Sequence, residues 1–143
     1  MTFRRTLGIA ALMIGVCSAA MAGNITIKAT GFKNQTGKAI VYLWTSASGF
    51  PSKTEQASKQ MVVDIPGAEI TAVFENVAPG TYAISITHDE NGNNKMDTGF
   101  MGKPKEGYGA SGNPKNRFSA PAYDKCKFEV GADGTSIEIA MND

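Results

Sequence analysis

The sequence predicts an all-β fold: a single antiparallel β-sandwich of about seven strands with one long loop insertion. Three observations carry that expectation. Apolar and polar residues alternate with period two, no long segment repeats at the helical period, and turn formers such as Pro66-Gly67 and Pro79-Gly80 punctuate the apolar runs.

Residues 1–22 read as an export signal rather than as part of the domain. Arg4 and Arg5 give a positive start, Leu7 to Val16 form an apolar run, and Ala20-Met21-Ala22 is a small-x-small cleavage site before Gly23. The run is shorter than the ~20 apolar residues of a membrane span, which disfavours an uncleaved anchor. Val16 stands where a lipobox ahead of Cys17 needs a small residue, and the rest of a twin-arginine signal is poorly matched, so ordinary export is expected. The mature chain, 23–143, is then one domain bound for the periplasm or the outside of the cell. No later run is long and apolar enough to span a bilayer.

Taking residues 1–22 from a chain of 143 leaves 121, enough to bury one core. Arg4 and Arg5 leave with them, so 12 basic residues face 13 acidic ones and the net charge is −1. That balance gives no sign of a nucleic-acid partner. Lys103, Lys105, Lys115 and Arg117 make one basic stretch against Glu106, read as a solvated loop rather than a dock for an anionic polymer. With Cys17 removed, Cys126 is the one remaining thiol and the core stands without a disulfide.

The strands follow in order. Ile25, Ile27 and Ala29 alternate with polar residues, and Asn34 to Gly37 make a turn. Lys38 to Thr45 is apolar on both faces, as a central strand is. Ser46 to Lys59 is a polar connection with a short helix over Lys53 to Ser58; Met61 to Ile65 and Ile70 to Glu75 flank Pro66-Gly67. Thr81 to Thr87 puts Tyr82, Ile84 and Ile86 on one face. An insertion, 88–118, comes next. Ala122 to Val130 and Ser136 to Met141 close the domain, with Cys126, Phe128 and Val130 sharing a face and the Cys126 thiol buried. Trp44 and Phe74 are expected in the core.

The insertion opens with HDENGNNKMDTGFMGKPKEGYG, His88 to Gly109. Calcium needs hard oxygen ligands converging from a tight turn, so calcium loops place Asp or Asn at positions 1, 3, 5 and 9 and a backbone carbonyl at 7. Asp89, Asn91, Asn93 and Asp97 match the side-chain positions, and the Lys95 carbonyl matches the seventh. Position 6, normally glycine, is Asn94, which tolerates the left-handed conformation a sharp turn demands. Position 12, normally a bidentate glutamate, is Phe100. Glu106, Asp124 or water is left to fill that place, and the affinity expected is weak. An oxygen-only set disfavours zinc and copper. The bland alternative is a metal-free polar turn in which Asx side chains cap their own backbone and Asn91-Gly92 turns a hairpin. Tyr108, in the second half of the stretch, is expected to pack the loop onto the sandwich.

With these residues in view the chain resembles the bacterial family called domain of unknown function 2141, small exported proteins. The likeness runs over nearly all of the mature chain: the opening strand and turn, VYLW followed by GFP, the FENVAPGTYAISITHDENGNNKMD block and the closing pair of strands. Family members commonly carry Gly at the position of Asn94 and Leu at that of Met96, so the loop departs slightly. The resemblance implies a transthyretin-like or carboxypeptidase-regulatory-like sandwich and brings no activity with it.

Catalysis is not expected. The mature chain has one histidine, His88, and one cysteine, and Gly109-Ala110-Ser111-Gly112 is not a nucleophile elbow. His88 and Asp89, neighbours on a strand, point to opposite faces and make no dyad. The function expected is an exported envelope binding or accessory module with a weak structural Ca2+ site, its partner an unidentified envelope protein or polymer. A purely structural or interaction domain with a metal-free loop is the alternative.

Overall fold

The structure, a computed structural model, describes residues 22–94, 106–115 and 120–143. Eight strands lie in order along it: β1 (Gly23–Thr30), β2 (Lys38–Trp44), β3 (Lys59–Val63), β4 (Glu69–Val77), β5 (Gly80–Asp89), β6 (Tyr108–Ala110), β7 (Phe128–Val130) and β8 (Thr135–Ala140). They form two sheets, one ordered β4-β1-β8 and the other β3-β2-β5-β6, with β7 paired to the start of β5. This is an all-β sandwich. The one helical segment of the polar connection is a 3-10 turn, Thr54–Gln56.

Alternation explains the layering. Ile25, Ile27 and Ala29 of β1, Ala39, Val41 and Leu43 of β2, Phe74 of β4 and Ile84 and Ile86 of β5 meet between the sheets in one core. β2 is buried on both faces, as its apolar run predicts, because its other face carries Ile40, Tyr42 and Trp44 into a second cluster. The polar connection after β2 covers that cluster: Phe50 meets Trp44 edge-on at 5.3 Å, and Tyr123 meets Phe50 at 5.7 Å. Trp44 Nε1 donates to Ser85 Oγ at 2.8 Å, so the indole is buried without stranding its N–H.

Three expectations are corrected. The sandwich is not wholly antiparallel, since β8 runs parallel to β1, with Ile27 opposite Ile137. Period-two alternation fixes which residues face inward but says nothing of direction. Second, Tyr123 to Cys126 is not strand but a single helical turn, α1, closed by the Lys127 N–H on the Tyr123 carbonyl at 2.9 Å. Third, the insertion is not continuous loop: β6 returns within it and pairs Thr87 with Tyr108.

Cys126 is nonetheless 1% exposed, packed against the second cluster rather than on a strand face. Burial pushes its thiol up to about 11. Since the thiolate is the reactive form, a thiol reagent should label the native protein far more slowly than the denatured one. Rapid labelling in native buffer would place α1 away from the sheet.

Candidate functional site

The site is built where β5 ends. Residues 84, 86 and 88 of this strand face the core and 83, 85, 87 and 89 the other side, so consecutive residues enter different surroundings. His88 is fully buried, its ring 5.4 Å from Phe32 in an edge-on contact. Its Nε2 donates to the Thr36 carbonyl at 2.7 Å, since a carbonyl can only accept. The 2.6 Å contact between Nδ1 and Asp143 Oδ2 therefore needs a proton of its own.

Lys33 joins this pair. Its ammonium lies 2.9 Å from Glu90 Oε1 and 3.5 Å from Asp143 Oδ1, while its backbone N–H donates to Asp143 Oδ2 at 3.1 Å. The Glu90 carboxylate beside it is the main influence raising the Lys33 pKa. Burial alone would raise the Asp143 carboxyl, but the hydrogen bonds from His88 and the Lys33 amide and the nearby positive charges hold it below its usual value. The ligand-capable atoms of His88, Glu90 and Asp143 lie within 4.8 Å of one another. We read this group as an ion-pair lock rather than a metal centre, because the Lys33 ammonium already answers two of its carboxylates. Gly107 makes room for the lock: a Cβ there would strike the Asp143 carboxyl group.

Asp89 belongs to the other side. It is 1% exposed, and its Oδ2 accepts the Asn94 N–H at 2.9 Å, which folds residues 89–94 around the carboxylate. Asn94 takes φ +58°, the left-handed turn expected of a sixth position, and Gly92 takes φ +73°. Asn91 Oδ1 accepts the Asn93 N–H at 3.1 Å, an Asx-turn. Gly37, at φ +72°, lets the preceding turn pass directly under the Asp89 carbonyl, which a Cβ would hit.

Asp89 Oδ1 is buried without a hydrogen-bond partner. Glu90 Oε1 also lacks a well-aligned donor, but the Lys33 ammonium stands beside it. Among the described residues, Asp89 Oδ1 has no such counter-charge. Leaving a buried charged oxygen unanswered costs more than the ~1–3 kcal/mol of a neutral group.

Of the residues singled out in the sequence, Asp89, Asn91 and Asn93 come together in one turn, and Lys95 and Asp97 lie outside the described residues. So do Lys103, Lys105 and Arg117 of the basic stretch. Glu106 is drawn to the base of the loop, 7% exposed, with Oε2 accepting the Glu90 N–H at 2.6 Å. Asp124 is not there: it is exposed on α1 and paired with Lys127 at 3.4 Å. Ser111 is structural, accepting the Ile84 N–H at 3.0 Å and donating to the Cys126 carbonyl at 2.6 Å. The part of Asp143 was missed, because no local pattern links it to a histidine 55 residues away.

Fold and site together define a two-sheet β-sandwich with a carboxylate-bearing turn at the end of one central strand. The chain belongs to the bacterial family described as "Uncharacterized protein conserved in bacteria (DUF2141)", whose model matches residues 27–138. The matched span holds the whole turn and excludes Asp143 of the lock. No curated protein and no solved structure matches the chain.

Proposed function

We propose that the protein is an exported accessory or binding module of the cell envelope whose 89–97 loop takes a structural Ca2+ ion. The observation that carries this reading is Asp89 Oδ1, a carboxylate oxygen at the start of an Asn-rich turn, buried and without a hydrogen-bond partner. Its twin, Oδ2, accepts the Asn94 N–H at 2.9 Å. Asn91 and Asn93 bring neutral oxygen donors to the same turn, and Asp97 and the Lys95 carbonyl would join them as the loop sequence requires. The ion's part is structural: it answers the charge of Asp89 and cross-links the turn that follows β5.

Export to the periplasm or beyond rests on the sequence of residues 1–22, and the first strand begins at Gly23, just past the expected cleavage site. We place the sandwich with the transthyretin-like and carboxypeptidase-regulatory-like folds. The partner is an envelope protein or polymer, and no catalytic role is assigned. The Asx-turn between Asn91 and Asn93 favours a second reading, a structural or interaction domain whose turn is held by its own side chains without metal.

Melting separates the two. The unfolded chain cannot converge these oxygens, so calcium at 100 times its dissociation constant should stabilise the fold by about 2.7 kcal/mol, several degrees of melting temperature. Magnesium, which demands short octahedral geometry and sheds water reluctantly, should do much less. No change in the melting temperature of chelator-treated protein at millimolar calcium would leave the metal-free turn as the correct description.

A further inference from the structure

We propose that the protein self-associates through β3, two copies pairing these strands antiparallel about a two-fold axis so that their larger sheets join into one. The two flanks of the sandwich differ. Where β6 meets β8 the fold closes itself: Tyr108 and Asn142 exchange backbone hydrogen bonds at 3.2 and 2.7 Å, and the Asn113 side chain donates to the Glu138 carbonyl at 3.3 Å and accepts the Ala140 N–H at 2.9 Å. On the opposite flank, among the described residues, β3 and β4 each have a strand on one side only. An open edge presents N–H and C=O groups to any extended chain, and a bulge or a proline commonly guards it. β3 has neither: Lys59–Val63 holds five consecutive pairs with β2 without a register shift, and its one charge, Lys59, stands at the end. On this strand Val62 is the one large apolar side chain exposed among the described residues, at 54%.

The occupant follows from the side chains. In an antiparallel pair, residues directly opposite share a face, and like charges placed so are destabilising. A two-fold axis through Val62 sets the exposed valines of the two copies against each other and, on the same face, Gln60 opposite Asp64. The Lys59 end of each strand then lies beside the Asp64 end of the other, where the Asp64 side chain, already paired with Lys38, is 82% exposed. β4, the neighbouring edge, is built the other way. About Ala72 the same operation would set Glu69 opposite Glu75 with no basic residue in the strand, and its ladder with β1 shifts register between Gly23 and Ile25. β3 is therefore self-complementary and β4 is not. Five residues make a small contact beside the ~1,200–2,000 Å² of a stable interface, so the dimer is weak and concentration-dependent.

Sedimentation velocity over a dilution series tests this in wild type, Val62→Lys, Lys59→Asp and the double variant Lys59→Asp/Asp64→Lys. Wild type should pass from monomer to dimer as its concentration rises. Val62→Lys sets two ammonium groups against each other at the axis and should raise the dissociation constant roughly tenfold or more. The melting temperature of dilute Val62→Lys should change little, because the side chain it replaces is already exposed. Lys59→Asp should also weaken the dimer, and the charge exchange should bind more tightly than Lys59→Asp alone, a recovery that general damage to the fold cannot produce. A monomer at every concentration would overturn the inference and leave the edge to a strand of another protein. A dimer left intact by Val62→Lys would overturn it too, placing the contact elsewhere, and so would a charge exchange no tighter than Lys59→Asp.

Discussion

Replacing Phe74 with alanine is expected to destabilise the protein by about 3 to 5 kcal/mol. The ring lies on β4 opposite Ile25, 5% exposed, in the core between the sheets. Both sheets are hydrogen-bonded ladders that cannot slide inward to fill the space, so the cavity term adds to the lost burial. Against a typical total of about 5 to 15 kcal/mol, that is enough to leave a substantial unfolded fraction at physiological temperature. Urea denaturation reads the effect as a fall in midpoint at unchanged slope. A loss under about 1 kcal/mol would mean that the site collapses around the truncation.

The second large effect belongs to the lock. His88→Ala removes a fully buried ring and strands both of its hydrogen-bond partners, each costing about 1 to 3 kcal/mol when left unmet. The Asp143 side chain has no solvent exposure and would lose its 2.6 Å contact, the Thr36 carbonyl would lose its donor, and Phe32 its ring contact. A pH dependence accompanies it. The folded-state pKa of Asp143 lies below its ordinary value, so between the two values the unfolded state binds more protons and stability rises with pH. The contribution is full above the unfolded value of about 3.9 and disappears as the pH falls through the folded one. Denaturation midpoints should therefore drop in acid for wild type and drop less steeply for His88→Ala. Equal acid slopes would show that the pair does not hold the Asp143 proton off.

What the sequence could reveal follows from the range of each interaction. Burial on both faces of β2 was legible in KAIVYLW, because alternation is a local property of a strand, and the left-handed turn at Asn94 was legible because few residue types tolerate it. The direction of β8 was not, since a parallel neighbour shares the same pattern as an antiparallel one. The turn of α1 was hidden by a misleading period of two across Cys126, Phe128 and Val130; its helical bond spans only Tyr123 to Lys127. At the site, the order of Asp89, Asn91 and Asn93 carried the turn, and Glu106 stood among three options for the missing ligand. Only the pairing of β5 with β6 brings Glu106 to the base of the loop, while Asp124 stays on α1, and such pairing is a long-range fact. The lock was wholly silent in sequence: Lys33, His88, Glu90 and Asp143 come from three separated regions, and no spacing links them.

A crystal structure of the protein grown in calcium, with anomalous data collected to identify the ion, tests the calcium site most directly. The proposed calcium site requires a cation about 2.3 to 2.6 Å from Asp89 Oδ1. A water molecule hydrogen-bonded to Asp89 Oδ1 at saturating calcium, with no anomalous peak in the turn, would contradict it.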